Sequence, residues 1–265
     1  MSLPPKKIAI VGRGVVGRAF EKMVRSRYET VTYDPVENGD YPQAEIDACD
    51  LGVVCVPTNA REDGSCDTSI VADAVFKLNN PLILIKSTIE PGTTDRLVRQ
   101  TGKRICFSPE YIGESKYFQP YWEDMIHTPF FIVGGAELDC IDIIALIEPI
   151  TGPTKVYYSC RAVEAEIIKY MENSFFATKV TFVNEFYNIC ERLGANWQKV
   201  REGWLLDPRI NKMHTSVFKD ERGFGGKCYP KDLNAIIKKA ESLGYSPELL
   251  KEVVASNKRI RESQT

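Results

Sequence analysis

Apolar positions in the first part of the chain form short continuous runs, and segments with helical spacing separate them. Residues 8–11 form one such run, which is typical of a strand buried on both faces of a parallel sheet. The segment 15–26 that follows carries apolar residues three and four positions apart, as an amphipathic helix does. The same alternation predicts strands at 30–33, 51–56, 82–86, 105–107 and 130–133, and helices at 69–78, 93–99 and 138–147. We therefore expect an α/β fold, a doubly wound parallel sheet with helices on both faces.

The pattern changes near residue 160. Ala162–Leu193 contains no proline or glycine and predicts one long helix, whose wide apolar stripe indicates cover on more than one side. A partner subunit is one way to cover it. Shorter helices are predicted at 197–206, 230–243 and 247–261. We therefore expect an α/β domain at 1–160 and an all-α domain, built on the long helix, at 161–265.

Composition and charge exclude several classes of protein. The 265 residues are 43% hydrophobic and 26% charged, and the formal net charge of −2 gives no global attraction to nucleic acid or an anionic membrane. No apolar run approaches the roughly 18–20 residues of a membrane helix, and the N-terminus has no secretory pattern. Eight cysteines without a C-x-x-C pair indicate reduced thiols in a cytoplasmic protein. Two histidines provide few ligands for a histidine-based metal site.

A glycine motif lies between the first strand and the first helix. Gly12, Gly14 and Gly17 have the G-x-G-x-x-G spacing of Rossmann-like folds, in which the turn admits a pyrophosphate to a helix N-terminus. Asp34 follows 22 residues after Gly12, at the end of the next strand, where a carboxylate binds the ribose hydroxyls. Because an acid there repels a 2′-phosphate, NAD is favoured over NADP. The alternative is a glycine-rich turn of an unrelated α/β domain with a capping aspartate.

A second glycine-rich segment, 223–232, contains Cys228. Pro230 suits the first turn of a helix, so we expect Cys228 just before a helix N-terminus, close to Lys227 and Lys231. The helix end and both cations favour the reactive thiolate. The alternative is an ordinary cysteine packed in a turn.

Further polar residues are candidates by position. Lys169 and Asn173 lie four residues apart, on one face of the long helix, although a solvated lysine and a tolerated asparagine explain them equally. Segments 86–94 and 108–114 follow predicted strands and therefore lie on the rim where parallel sheets bind ligands, unless they are ordinary loops.

Taken together, these segments resemble the UDP-glucose/GDP-mannose dehydrogenase family, in order along nearly the whole chain. The cysteine segment is the most specific of them. The matching segments are the glycine turn 12–17, Val56-Pro57-Thr58, Ser87-Thr88 with 91–94, Pro109-Glu110 with Glu114, Lys169 with Asn173, Asp207 with Arg209-Ile210, and 223–232. The resemblance implies a nucleotide-sugar 6-dehydrogenase of the UDP-glucose to UDP-glucuronate type. Such an enzyme uses NAD to oxidise a C6 alcohol to a carboxylate in two steps, through a thiohemiacetal and a thioester.

The resemblance also implies a role for each matched residue. Implied catalytic residues are Cys228, Lys169, Asn173, Asp232, Glu110 and Thr88. Implied cofactor contacts are Gly12, Gly14, Val15, Val16, Gly17, Asp34, Pro57, Thr58, Thr88, Glu114 and Lys231. Implied substrate contacts are Glu110, Tyr111, Ile112, Lys169, Asn173, Arg209, Phe224 and Gly225.

Among the implied catalytic residues, Cys228 is the nucleophile. Lys169 stabilises the oxyanion at C6, and Asn173 helps to hold that oxygen or a water. Asp232 assists proton transfer, and Glu110 or Thr88 positions the hydrolytic water.

The resemblance implies a homodimer as well. The long helix 162–193 forms the seam, and Arg209 reaches a sugar bound in the neighbouring subunit.

The chain departs from the family pattern in three places. Members continue into a third, nucleotide-binding α/β domain, whereas this sequence ends at Thr265. Asn211 stands where glycine is usual, and Lys227 replaces a small uncharged residue.

Two other interpretations fit the same residues. A 3-hydroxyacid dehydrogenase also pairs the glycine motif with a helical Lys-x-x-x-Asn, but it needs no nucleophilic cysteine. A catalytically weak NAD-binding or dimerisation module needs no turnover at all.

Overall fold

The apolar runs of the first part of the chain form one sheet. The computed structural model describes residues 6–37, 39–112 and 125–263. Within these residues the strands are β1 (Lys7–Val11), β2 (Glu29–Tyr33), β3 (Leu51–Val54), β4 (Ile83–Ile85), β5 (Ile105–Phe107), β6 (Phe130–Gly134) and β7 (Val156–Cys160). Their order across the sheet is β2-β1-β3-β4-β5-β6-β7.

Helices connect these strands and then continue alone. The helices of the described residues are α1 (Val15–Val24), α2 (Gln43–Asp47), α3 (Ser69–Lys77), α4 (Thr93–Thr101), α5 (Glu137–Thr151), α6 (Ala162–Leu193), α7 (Trp197–Trp204), α8 (Cys228–Ser242) and α9 (Glu248–Glu262). The long predicted helix is confirmed at both ends. Within the described ranges, no helix combines the length and apolarity that crossing a membrane requires.

The strand order has its switch point next to β1. This strand pairs in parallel with β2 on one side and with β3 on the other, so the chain changes direction across the sheet at β1. Ligands of open α/β sheets bind at such a point, outside the carboxyl ends of the strands. The glycine motif follows β1 directly, and Val56-Pro57-Thr58 follows β3.

The doubly wound sheet is confirmed, but it is mixed rather than wholly parallel. β6 runs antiparallel to β5, where Phe107 lies opposite Gly134, and β7 runs parallel to β6. A buried apolar run predicts a strand without giving its direction, so the sequence pattern could not distinguish the two cases.

Both faces of the sheet are covered. On one face, Ile8, Ile10 and Leu84 pack with residues of α1 and α5, among them Phe20 and Ile143. The other face packs against α2, α3 and α4 and against Ala165 in the first turn of α6. Burial on both faces explains why these strands are continuous apolar runs instead of alternating ones.

The chain divides into two compact units. The first consists of Met1–Arg61 and Cys66–Lys169, and the second of Glu62–Ser65 and Tyr170–Thr265. The described helical part of the second unit has two small apolar clusters, one around Phe224 and Leu233 and one around Val183 and Trp197.

Candidate functional site

The glycine turn after β1 requires its first glycine. Gly12 has φ +95°, and a Cβ there would lie 2.5 Å from the carbonyl oxygen of Cys55. Its N–H donates to the Tyr33 carbonyl oxygen at 2.7 Å, and the Cys55 N–H donates to the Val11 carbonyl oxygen at 2.7 Å. The turn is thereby held between the ends of β1, β2 and β3.

The other two glycines shape the opening in front of α1. A Cβ at Gly17 would lie 1.9 Å from the carbonyl oxygen of Gly12, so α1 packs directly on the turn. A Cβ at Gly14 would meet no atom within 4 Å. Val15 is exposed beside this open space, and Val16 is half-buried. The first N–H groups of a helix have no partner within it, so open space at this end suits a pyrophosphate.

Asp34 is ionised and faces the same turn. Its Oδ2 accepts the Arg13 N–H at 2.8 Å, and its Oδ1 accepts the Val36 N–H at 2.9 Å. Both backbone hydrogen bonds lower the pKa of Asp34 below its ordinary value, and the bond from Arg13 has the larger effect. A carboxylate oxygen can accept more than one hydrogen bond, so Asp34 suits the ribose hydroxyls. The glycine turn, the open helix end and this carboxylate fit a dinucleotide such as NAD.

The loops after β3 and β4 are tied together. Thr58 Oγ1 donates to the Thr88 carbonyl oxygen at 2.8 Å, and Ser87 Oγ donates to the Val56 carbonyl oxygen at 2.6 Å. Pro57 lies exposed between the bonded residues. This rim therefore holds Thr58 and Thr88 in a fixed relation to each other.

Glu110 follows β5 as a buried carboxylate. Its Oε1 accepts the N–H groups of Tyr111 and Ile112, each at 2.7 Å. Its Oε2 lies 3.4 Å from Nζ of Lys86, which is 4% exposed. The Lys86 ammonium also donates to Ser108 Oγ at 3.2 Å and to the Pro109 carbonyl oxygen at 3.1 Å. The sequence placed Lys86 on the rim but gave no sign that it pairs with Glu110.

Lys169 belongs to the same unit as Glu110. Its Nζ lies 4.9 Å from the centre of the Tyr111 ring, in a cation–π contact. The Tyr111 ring meets the Phe130 ring edge-on, with the centroids 4.8 Å apart. The first unit therefore gathers Glu110, Tyr111 and Lys169. The predicted cofactor residue Glu114 lies outside the described residues.

Glu166 is a buried residue that the sequence did not single out. It is fully buried, and its carboxylate accepts the N–H groups of Gly92, at 2.5 Å, and of Thr94, at 2.9 Å. The Thr94 hydroxyl donates to it at 2.7 Å. Burial raises the pKa of Glu166 to about 7. The first turn of α6 thereby caps α4, whose N-terminus follows the rim loop that carries Thr88.

In the second unit, Asn173 and Asp232 form a buried pair. Asn173 Nδ2 donates to Asp232 Oδ2 at 2.5 Å. Lys231 Nζ lies 2.7 Å from Asp232 Oδ1, so the carboxylate lies between an amide and an ammonium group. The structure thus brings together three residues that the sequence placed 58 and 59 positions apart.

Cys228 is the first residue of α8, which begins two residues earlier than the predicted helix 230–243. Pro230 occupies the third helical position. A proline is tolerated there because the N–H groups of a first turn have no intrahelical partner in any case. Of the described cysteines Cys228 alone is exposed, since six are buried and Cys160 is partly buried. The thiol therefore lies at a helix N-terminus and is open to solvent.

His214 contacts Tyr229, the residue that follows Cys228, and the sequence did not indicate this contact. It has φ +59°, its ring stacks on Phe176 with centroids 4.3 Å apart, and its Nε2 lies 2.9 Å from the Tyr229 hydroxyl oxygen. Burial lowers the pKa of His214 to about 4, so the ring is neutral at pH 7. Burial also raises the pKa of Tyr229 above its ordinary value.

The glycine-rich segment before Cys228 is fastened to α9 by Asn257. The Phe224 N–H donates to Asn257 Oδ1 at 2.7 Å, and Asn257 Nδ2 donates to the Phe224 carbonyl oxygen at 2.9 Å. The Phe224 side chain is buried in the small core, and Gly225 lies against Arg261. The only sign of this contact in the sequence is an asparagine within a helix.

Arg209 is exposed. Its guanidinium pairs with Asp207, with Nη2 2.6 Å from Oδ2. Metal ligands do not cluster in the parts of the chain that the structure describes, where no three histidine, cysteine, aspartate or glutamate side chains are arranged to hold an ion.

Comparisons with known proteins show what the chain is similar to. The chain is 31% identical over 220 residues to the UDP-glucose 6-dehydrogenase of Rickettsia typhi, which covers 79% of this chain and 49% of the relative. It is 30% identical to UDP-glucose 6-dehydrogenase TuaD of Bacillus subtilis, covering 97% of this chain and 64% of the relative. The chain therefore spans about half to two thirds of the length of these relatives.

A solved structure shares the fold. A UDP-glucose dehydrogenase from Pyrobaculum islandicum superposes with a TM-score of 0.83 at 24% identity, over 96% of this chain and 68% of that one. Residues 21–150 match the NAD-binding domain of the UDP-glucose/GDP-mannose dehydrogenase family, and residues 163–259 match its central domain. The chain belongs to the UDP-glucose/GDP-mannose dehydrogenase family.

Proposed function

We propose that this protein is an NAD-dependent nucleotide-sugar 6-dehydrogenase of the UDP-glucose to UDP-glucuronate type. The observation that carries the proposal is Cys228, an exposed thiol at the first position of α8, with the buried Asp232 one turn later. A cysteine in this position is what an oxidation beyond the aldehyde requires, because it captures that aldehyde covalently. The family membership and the relatives named above support the same reaction class.

The residues around the glycine turn would hold the cofactor. The N-terminus of α1, with Gly14 open before it, would take the pyrophosphate, and Asp34 would accept from the ribose hydroxyls. Pro57, Thr58, Thr88, Glu114 and Lys231 would make the remaining contacts. Each NAD, when bound, would accept one hydride, so two NAD are needed for each sugar oxidised.

Cys228 divides the four-electron oxidation into two easier parts. Loss of a hydride and a proton from the C6 alcohol gives an aldehyde, and the Cys228 thiolate adds to its carbonyl carbon. The resulting thiohemiacetal loses a second hydride and its hydroxyl proton and becomes a thioester. Water then attacks the thioester carbon, the C–S bond breaks so that the Cys228 thiolate leaves, and the carboxylate product is released with loss of a proton.

The charged residues assist at the oxygen atoms. Lys169 would stabilise the oxyanion at C6, and Asn173 would donate to that oxygen or to a water. Asp232, held by Asn173 and Lys231, would assist proton transfer through water. Glu110 or Thr88 would position the water that cleaves the thioester. Tyr111, Ile112, Phe224 and Gly225 are the remaining proposed substrate contacts.

We include a homodimer in the proposal. The face of α6 that belongs to the second unit is apolar and exposed, with Met171, Phe175 and Leu193 each more than 60% exposed. A second copy of the chain would cover this face, and the exposed Arg209 would reach the sugar in the partner. The domain division proposed for this function is 1–160 for the cofactor and 161–265 for the thiol and the dimer.

A panel of substrates tests the proposal. The purified chain is incubated with NAD and, separately, UDP-glucose, GDP-mannose, N-acetylated UDP-hexoses and a 3-hydroxy acid, and NADH is followed by absorbance. We expect NADH to form with one or more nucleotide sugars. NADH formation with the 3-hydroxy acid alone would favour a simple hydroxyacid dehydrogenase. Cofactor binding without turnover of any substrate would favour a binding module.

A further inference from the structure

Two arginines flank the glycine turn, and one carboxylate holds both. Arg13 occupies the position between Gly12 and Gly14, and Arg18 lies in the first turns of α1. The carboxylate of Glu37, three residues beyond Asp34, pairs with Arg13 through one oxygen and with Arg18 through the other. Arg18 Nε also donates to the Arg13 carbonyl oxygen at 2.8 Å, so the two guanidinium groups are held close together.

The pairing decides what these cations can bind. Arg13 has a second carboxylate, with Nη2 2.9 Å from Glu21 Oε2, whereas Arg18 pairs with Glu37. Two adjacent guanidinium groups are well suited to a phosphate, because their N–H groups bind its oxygens in parallel. While both guanidinium groups are paired with Glu37, the N–H groups in those pairs cannot bind a phosphate.

The place of this cluster is where NAD and NADP differ. Asp34, the carboxylate suited to the ribose hydroxyls, accepts the backbone N–H of Arg13 itself, at 2.8 Å. The 2′-phosphate that distinguishes NADP attaches at the ribose 2′-oxygen, so it would lie next to Asp34 and next to the two arginines. The site therefore contains the cations of a 2′-phosphate site together with a carboxylate that neutralises them.

We propose that Glu37 determines cofactor specificity by withholding Arg13 and Arg18 from the 2′-phosphate of NADP. Asp34 repels the extra phosphate directly, and Glu37 removes the attraction that would offset this repulsion. The guanidinium groups of Arg13 and Arg18 face the carboxylates of Asp34, Glu37 and Glu21, and Glu21 also pairs with Arg25. Loss of Glu37 removes one of these three negative charges and frees donors on both arginines. The inference rests on the dinucleotide site of the proposed function and is independent of the sugar chemistry.

Cofactor binding by the full chain tests the inference without turnover. The dissociation constants of NADH and NADPH are measured by fluorescence for the wild type, for Glu37→Gln and for Glu29→Gln. Glu29 is a matched control, because it pairs with Lys7 at 2.8 Å at the opposite end of β2. We expect Glu37→Gln to raise the affinity for NADPH relative to NADH by about tenfold or more, as for a hydrogen bond to a charged group. The control should leave the ratio unchanged.

A second variant establishes the cause. Adding Arg18→Gln to Glu37→Gln should reverse most of the gain for NADPH, and melting temperatures show whether each variant folds. An unchanged NADPH-to-NADH ratio in folded Glu37→Gln, an equal change in Glu29→Gln, or a gain that survives Arg18→Gln would each overturn the inference. A wild type that binds neither dinucleotide would overturn it together with the cofactor assignment. Normal NADH binding without sugar-dependent turnover would count against the proposed reaction alone.

Discussion

At the scale of single residues, Lys86 and Glu110 form a buried ion pair on the rim at the ends of the strands. The carboxylate of Glu110 receives two backbone N–H groups on one oxygen and faces the buried ammonium of Lys86 on the other. We expect Lys86→Met to lower the free energy of unfolding by about 3–5 kcal/mol, because it leaves a buried carboxylate without its counter-charge. Urea unfolding measures the difference.

A surface pair provides the control for this change. Lys7 pairs with Glu29 at 2.8 Å, and both side chains are about half exposed. Lys7→Met should cost far less stability than Lys86→Met, because exposed ion pairs contribute little. Equal losses in the two variants would contradict the structural role given to Lys86.

Residues whose chemistry is local could be predicted from the sequence, and those with distant partners could not. The glycine turn and Asp34 belong to one βαβ unit, and the thiol at a helix N-terminus is visible from Pro230 and the glycines around it. Glu166 instead meets residues 72 and 74 positions earlier, and Asn257 meets Phe224 33 positions earlier. No spacing rule connects such positions.

At the scale of elements, Glu166 of α6 caps the N-terminus of α4 by accepting its backbone N–H groups. The pKa of this carboxyl is about 7 in the folded protein, whereas its unperturbed value is 4.5. The folded state therefore holds more protons than the unfolded state between these pH values, so stability falls as pH rises through this window. The difference between the two pKa values corresponds to about 3 kcal/mol.

The variant Glu166→Gln tests this linkage. Its amide oxygen still accepts from Thr94, but it does not titrate. Urea unfolding at a series of pH values should show the wild type losing about 3 kcal/mol more than the variant as pH rises from about 4 to about 8. Glu164→Gln is the control, because Glu164 lies two positions before Glu166 in α6 and pairs with the exposed Arg161. This variant should keep the fall in stability seen in the wild type. A fall of equal size in Glu166→Gln would contradict the assignment.

The elements missed by the sequence analysis are short or lie at an edge. α2 has five residues, too few for a periodic pattern to show. β7 lies at the edge of the sheet with most of its residues exposed, so it lacks the buried apolar run that revealed the other strands. The long, strongly patterned α6 was predicted to the residue at both ends.

At the scale of the whole molecule, the exposed face of α6 is the surface on which the proposed dimer depends. Its apolar residues in the second unit, spaced by four, seven, four, three and four positions, are Met171, Phe175, Phe182, Phe186, Ile189 and Leu193. This spacing keeps them on one side of the helix, as in paired helices. Exposed apolar surface of this kind marks an interaction site.

A charge placed on this face should prevent dimer formation. We expect the wild type to sediment as a dimer, and Met171→Glu with Phe175→Glu to sediment as a monomer, because two carboxylates would have to be buried in the seam. Leu249→Glu, a change at a 69% exposed position of α9, is the control and should leave the dimer intact. A monomeric wild type would contradict the proposed seam.

The central claim is that Cys228 captures the aldehyde left by the first oxidation and carries the second oxidation through a thioester, and the ratio of NADH formed to sugar consumed tests it most directly. With the nucleotide sugar that the panel identifies, we expect two NADH per sugar oxidised by the wild type. Cys160→Ser, which alters a partly buried thiol, should preserve this ratio, and Cys228→Ser should abolish carboxylate formation. One NADH per sugar in the wild type, or a full yield of two in Cys228→Ser, would contradict the account.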